Sequence, residues 1–176
     1  ARTSPSLRRD TSHLNQVRGD ARDRLPARDR VTPGPTNLGA PLTPVETCVP
    51  SPTGKPVYFG NNSLESDSPA TITAVNPVGV QGDLRVVPFV VPVASAGGGP
   101  LASFNPAKEP DWSWAQARSA EGSVIDRNNA PMDLVLKLSS DSGGSVEAVR
   151  VDYQLDGSSY FALMPNSMEI VVGESC

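Results

Sequence analysis

The chain has 176 residues, of which 38% are hydrophobic and 19% charged, with 18 Pro, 15 Gly and two Cys; this size suits one domain plus an appendage. Its net charge of −4 hides a division: residues 1–40 carry eight Arg, no Lys and four Asp, a balance of +4, whereas residues 41–176 carry seven Lys and Arg against fifteen Asp and Glu, a balance of −8. An acidic body is poorly suited to neutralising phosphates, so nucleic acid is not an expected partner, and no apolar run approaches the roughly 20 residues of a membrane-spanning helix.

Residues 1–30 read as a polar, Arg-rich arm. Leu14, Val17, Ala21 and Leu25 recur at helical spacing after Thr11 or Ser12 as N-cap, which predicts a short helix over 12–25 ended by Pro26. Gly19 in its middle costs about 1 kcal/mol relative to Ala, and so short a helix is marginal by itself. The arm is either mobile or docks on a partner or on the body, and Leu14, Val17, Arg22, Arg24 and Leu25 are its candidate docking residues. Residues 31–56 contain seven prolines, an extended, polyproline-like stretch. The linker proper is assigned to 31–44 and the domain to 45–176.

From Val57 the pattern becomes that of β-strands. "VYF" (57–59) is a short candidate. "ATITAV" (70–75) alternates, with Ile72 and Ala74 expected on one face. "LRVVPFVVPV" (84–93) is apolar on both faces, and its Pro88 and Pro92 predict an edge strand or two strands bent at a proline. "MDLVLKL" (132–138) puts Met132, Leu134, Leu136 and Leu138 on one face. "SVEAVRVDYQL" (145–155) puts Val149, Val151, Tyr153 and Leu155 on one face, with Arg150, Asp152 and Gln154 opposite. "SYFALM" (159–164) and "MEIVV" (168–172) complete the set. Asp156-Gly157 lies between two alternating runs and predicts a tight hairpin, because both residues accept positive φ; "MPNS" (164–167) predicts the next turn. About seven to eight short strands without a βαβ rhythm imply an all-β, antiparallel sandwich.

"NNSLESDSPATITAV" (61–75) resembles the opening of immunoglobulin-like domains in secreted bacterial proteins, and "SVIDRNNAPMDLVLKL" (123–138) resembles their polar turn before an alternating strand. The Pro/Gly/Ala/Val/Asp/Arg-rich wording resembles that of a GC-rich actinobacterial source. The resemblance covers residues 45–176 and implies an immunoglobulin-like sandwich in an extracytoplasmic setting; it implies no function, since fold alone does not give one.

Cys48 and Cys176 flank the domain and are expected to form a disulfide. In the chain-entropy model a loop of about 129 residues gives roughly 5 kcal/mol as an upper figure. The alternative is two free thiols of a reducing compartment. His13, the single histidine, lies in the arm, so the body has no histidine for a Ser-His-Asp triad or a copper site; no metal, cofactor or catalytic set is expected. The body carboxylates occupy turn-like contexts. "GGGP" (97–100) lacks the Lys and helix of a phosphate loop.

Trp112 and Trp114 are the only tryptophans and share a face if the segment is a strand. Exposed, they stack on sugar rings or anchor a protein, with Asp111, Gln116 and Arg118 adding polar contacts. Alternatively, one or both fill the core or pack beneath the long 95–122 connection. The function these readings favour is a non-catalytic, extracytoplasmic binding or accessory domain that docks on a larger protein assembly through its arm. The alternatives are a carbohydrate or cell-wall binding module using Trp112 and Trp114, and a virion structural protein with an interlacing arm.

Overall fold

A computed structural model of the chain describes residues 31–35, 38–39, 44–52, 54–94, 101–173 and 175–176. The expected helix over 12–25 and the candidate docking residues Leu14, Val17, Arg22, Arg24 and Leu25 lie outside the described residues, as do His13 and residues 97–100. The described residues are all-β. Eight strands of seven to nine residues form the body: β2 (Val45–Ser51), β3 (Val57–Leu64), β4 (Ala70–Val78), β6 (Arg85–Pro92), β10 (Met132–Ser139), β12 (Ala148–Leu155), β13 (Ser158–Met164) and β14 (Asn166–Val172). Shorter pieces complete the edges: β1 (Thr32–Pro33), β5 (Gln81–Gly82), β7 (Leu101–Ser103), β8 (Arg118–Ser119), β9 (Val124–Ile125) and β11 (Gly144–Val146). Among the described residues no helix is long and apolar enough to cross a membrane.

Three sheets result, in the orders β1-β13-β12-β4-β9, β7-β3-β10-β6-β8 and β2-β14-β11-β5. Every pairing is antiparallel except β1 with β13 and β2 with β14. The first and third sheets share chain directly. β11 and β12 are separated only by Glu147, and β13 and β14 only by Pro165. The reading of 145–155 as one strand is therefore corrected: the chain changes sheet at Glu147, whose N–H donates to the Val78 carbonyl at 2.9 Å. Likewise "MPNS" is not a hairpin turn but the place where the chain passes from the first sheet to the third.

Inward side chains of all three sheets meet in one core. Leu134, Leu136 and Leu138 of β10, Val149, Val151, Tyr153 and Leu155 of β12, and Met168 and Ile170 of β14 are all buried there. The alternation read for β10 and β12 holds because an unbroken strand keeps its period of two. In β4 it does not. A bulge falls between the Asp152 and Tyr153 pairings, which leaves Thr73 as the extra residue. Ile72 is buried, but beyond the bulge Val75 rather than Ala74 packs on the core. A second bulge, at Asn61 in β3, switches parity in the same way, so that Phe59 and Leu64 both face inward.

Asp156 (φ 50°) and Gly157 (φ 77°) make the predicted tight turn between β12 and β13. The 31–44 stretch is partly built into the body: Thr32 and Pro33 pair with Tyr160 and Phe161, the Gly34 N–H donates to the Phe161 carbonyl at 3.0 Å, and Leu38 is fully buried in the core. β2, in the Pro-rich stretch, is a complete strand, and its Cys48 lies opposite Glu169 of β14.

Cys48 and Cys176 form a disulfide with a Cα–Cα separation of 6.1 Å. It fastens the end of the chain beyond β14 to β2. Elsewhere, the loop after β10 is organised by Asp83. The Ser140 and Ser142 hydroxyls donate to Oδ1 of Asp83 and the Asp141 N–H donates to Oδ2. These bonds, that of Ser140 foremost, hold the Asp83 carboxyl at about 2, below its ordinary 3.8.

Two outcomes are expected. Reduction, or Cys48→Ser with Cys176→Ser, lowers the unfolding free energy by about 2–5 kcal/mol, read as a lower urea midpoint. A carboxyl with a depressed folded-state pKa stabilises the fold fully above its unfolded pKa and loses that effect as pH falls through the folded one. Wild type is therefore more stable than Asp83→Asn above about pH 4, and the difference in urea midpoints shrinks toward pH 2.

Candidate functional site

The second sheet carries apolar side chains on its outer face as well as its inner one. Val86 and Val90 of β6 face the main core, while Phe89 and Val91 face outward. On β10, Val135 lies on that outer face, opposite Gly60 of β3 and Phe89 of β6. Such a face must be covered, and the connection between β7 and β8 covers it. β6 itself is one unbroken strand. Its Pro88 carbonyl accepts an N–H bond from Ala120, just after β8 (3.3 Å), and its Pro92 carbonyl one from Ser113 of the connection (2.9 Å). The two prolines thus turn their donor-less nitrogens away from β10 and leave that ladder intact.

The tryptophans form this cover. Trp112 is 5% exposed and packs with Val91 and Val135. Its indole Nε1–H donates to Oδ2 of the buried Asp133 at 3.1 Å. Gly60 makes the close approach possible: a Cβ there would lie 2.5 Å from the Asp133 carboxylate and nearer still to the Trp112 ring. Trp114 begins a one-turn 3-10 segment, Trp114–Gln116. It is half-buried, edge-on to Tyr58 at 5.1 Å and tilted against Phe89 at 5.5 Å. Two tryptophans on a shared exposed face are therefore not what the structure presents. The segment is a turn and a 3-10 piece, not a strand, and Trp112 belongs to a satellite core beneath the connection.

Arg118 has a different fate. It opens β8, pairs through its backbone with Val90, and is exposed. Its Nε–H donates to the Ser123 hydroxyl at 3.1 Å, and Nη2 lies 3.3 Å from the Met132 sulfur. Ser123 is buried, and its own hydroxyl donates to the Ser119 carbonyl at 2.8 Å. Arg118 stands on the wall of an open cleft of about 590 Å³, with Pro92, Val124 and Met132 as apolar lining and Gln116, Ser123 and Asn129 as polar lining. The cleft lies between β8, at one edge of the second sheet, and β9, at one edge of the first.

Sequence reasoning singled out Trp112, Trp114 and Arg118 together. The structure separates them into a cover and a cleft wall. Ser123 and Met132, which position Arg118, were missed; nothing in their local pattern marks them. Among the described residues no group of three or more His, Cys, Asp or Glu side chains is arranged to hold a metal ion. The chain matches no protein-family profile, no curated protein and no solved structure.

The satellite core makes the two tryptophans distinguishable. Trp112→Ala is expected to cost about 3–5 kcal/mol, and Gly60→Ala about 1–3 kcal/mol by overpacking, in urea titrations. The emission of Trp114→Phe, which reports Trp112 alone, is expected to be the bluer and the less quenched by acrylamide of the two single-tryptophan variants. Equal quenching of Trp112→Phe and Trp114→Phe would contradict the burial described.

Proposed function

We infer that this protein is a non-catalytic, extracytoplasmic binding or accessory domain of the immunoglobulin-like kind, which docks on a larger protein assembly through its N-terminal arm. The observation that carries the reading is the division between a basic segment of balance +4 and an acidic body of balance −8 that is closed by a disulfide. A basic segment joined to an acidic body is suited to capture an acidic partner. The segment joins the body at β1, on the edge of the first sheet. The disulfide fits an oxidising compartment.

Strand order supports the immunoglobulin-like reading. β6, β10 and β3 are neighbours in that order, and so are β4, β12 and β13. Counting β3 as the second strand of the domain, these are the D-E-B and C-F-G orders of such sandwiches. The parallel pairing of β2 with β14 closes the sheet against the last strand. Burial of Trp112 removes one ring from the carbohydrate-stacking alternative.

The test is co-purification of the full chain, and of a chain lacking residues 1–30, from the native source, with intact mass measured before and after reduction. The expected outcome is the same protein partner retained by the full chain and lost from the shortened one, with the disulfide present in both. A partner retained equally by both would remove the arm from the reading, and free thiols in native material would remove the compartment.

A further inference from the structure

We propose that the cleft beside Arg118 is a binding site for a monocarboxylate with an apolar body. This goes beyond arm docking and uses none of the arm's residues. Three features of the cleft carry it.

The first is the state of Arg118. Two of the four described arginines pair with a carboxylate, Arg150 with Asp152 at 2.7 Å and Arg127 with Asp67 at 2.8 Å. Arg118 has no carboxylate partner among the described residues. It is held instead by a hydroxyl and a thioether, and sulfur is a weak acceptor. The guanidinium is thus oriented but not neutralised, and its outer N–H groups remain for a ligand. An arginine fork matches a carboxylate with two parallel N–H···O bonds.

The second is rigidity. The Arg118 backbone is paired to β6, and its Nε is fixed by Ser123, which is itself buried and tied to the Ser119 carbonyl. A cation held in place before binding loses little rotamer freedom when the ligand arrives.

The third is the remaining wall. Pro92, Val124 and Met132 offer apolar surface, and Gln116 and Asn129 offer amides at the rim. The volume of about 590 Å³ falls within the roughly 300–1,000 Å³ of small-ligand clefts. One cation on a body of balance −8 admits one negative charge and disfavours a polyanion. The carboxyl end of a peptide beside an apolar residue and a small organic acid share this chemistry.

The experiment titrates the full chain with four probes at pH 7 and follows the Arg118 Nε–Hε and the Gln116 and Asn129 side-chain amide resonances. The probes are acetyl-Ala-Ala-Val with a free carboxylate, its C-terminal amide, hexanoate and inorganic phosphate. The expected result is saturable shifts of these groups with the peptide acid and at least tenfold weaker binding of its amide and of phosphate. Arg118→Gln is expected to weaken the peptide acid at least tenfold, while Arg127→Gln leaves it unchanged. Hexanoate binding as tightly as the peptide acid assigns the site to small acids; weaker hexanoate binding assigns it to peptide ends. The comparison of acid with amide on the wild-type protein needs no variant to fold. Equal binding of acid and amide, binding that survives Arg118→Gln, or no shift with any probe overturns the proposal.

Discussion

A sheet whose central strands are apolar on both faces must be covered twice, and much of this structure derives from that need. On β10, Leu134, Leu136 and Leu138 face the main core while Val135 and Asp133 face the other way. On β6, Val90 and Val91 are both fully buried, on opposite faces. The described residues have no α-helix to lay over the outer face. It uses the long connection between β7 and β8 instead, and anchors it with aromatic rings. Burying an indole N–H requires an acceptor, which Asp133 supplies, and bringing the ring close to β3 requires a residue without a Cβ, which Gly60 supplies. The connection then runs along β6 and returns as β8, which is what sets Arg118 at the mouth of a cleft.

The other constraint is that the first and third sheets are made from the same stretches of chain. The chain bends at Glu147 and again at Pro165, so β11–β12 and β13–β14 each serve two sheets. The edge of this composite is closed by N-terminal chain: β1 lies along β13 and β2 along β14, both parallel. Exposed strand edges invite pairing with other chains. Covering one with the chain's own N-terminal segment, and stapling β2 to Cys176 beyond β14, guards the edge and ties β14 to β2.

Several of these arrangements were legible in the residues. The Leu stripe of 134–138, the Val/Tyr stripe of 149–155 and the Asp156-Gly157 turn depend on near neighbours in the chain, so periodicity and local φ preferences report them directly. The pairing of Cys48 with Cys176 was legible because only two cysteines exist and they flank the body. The bulges at Asn61 and Thr73 were not: each depends on how many residues the partner strand offers, and each reverses the facing of the residues beyond it, so Val75 replaces Ala74 on the core. β2 was hidden by its Pro50 and the prolines around it, since its hydrogen bonds come from β14, more than a hundred residues away. The break at Glu147 left one local sign, the step of three between the core residues Val146 and Val149, and the change of sheet itself depends on distant partner strands.

By itself, then, the sequence determined that the chain is β-rich, that its charge is divided between a basic segment and an acidic body, that its hairpin turns at Asp156-Gly157, and which two cysteines meet. These properties are set by composition, local backbone preference and the lack of any alternative partner. Tertiary structure alone decided what Trp112, Trp114 and Arg118 do. All three lie within seven residues of one another in an irregular stretch with no period to read. Whether a ring there is a cover or a platform, and whether an arginine is neutralised or left open, depends on which distant strands lie beneath it. Here β3, β6 and β10 take the rings, and Ser123 and Met132 hold the guanidinium without a carboxylate to quench it.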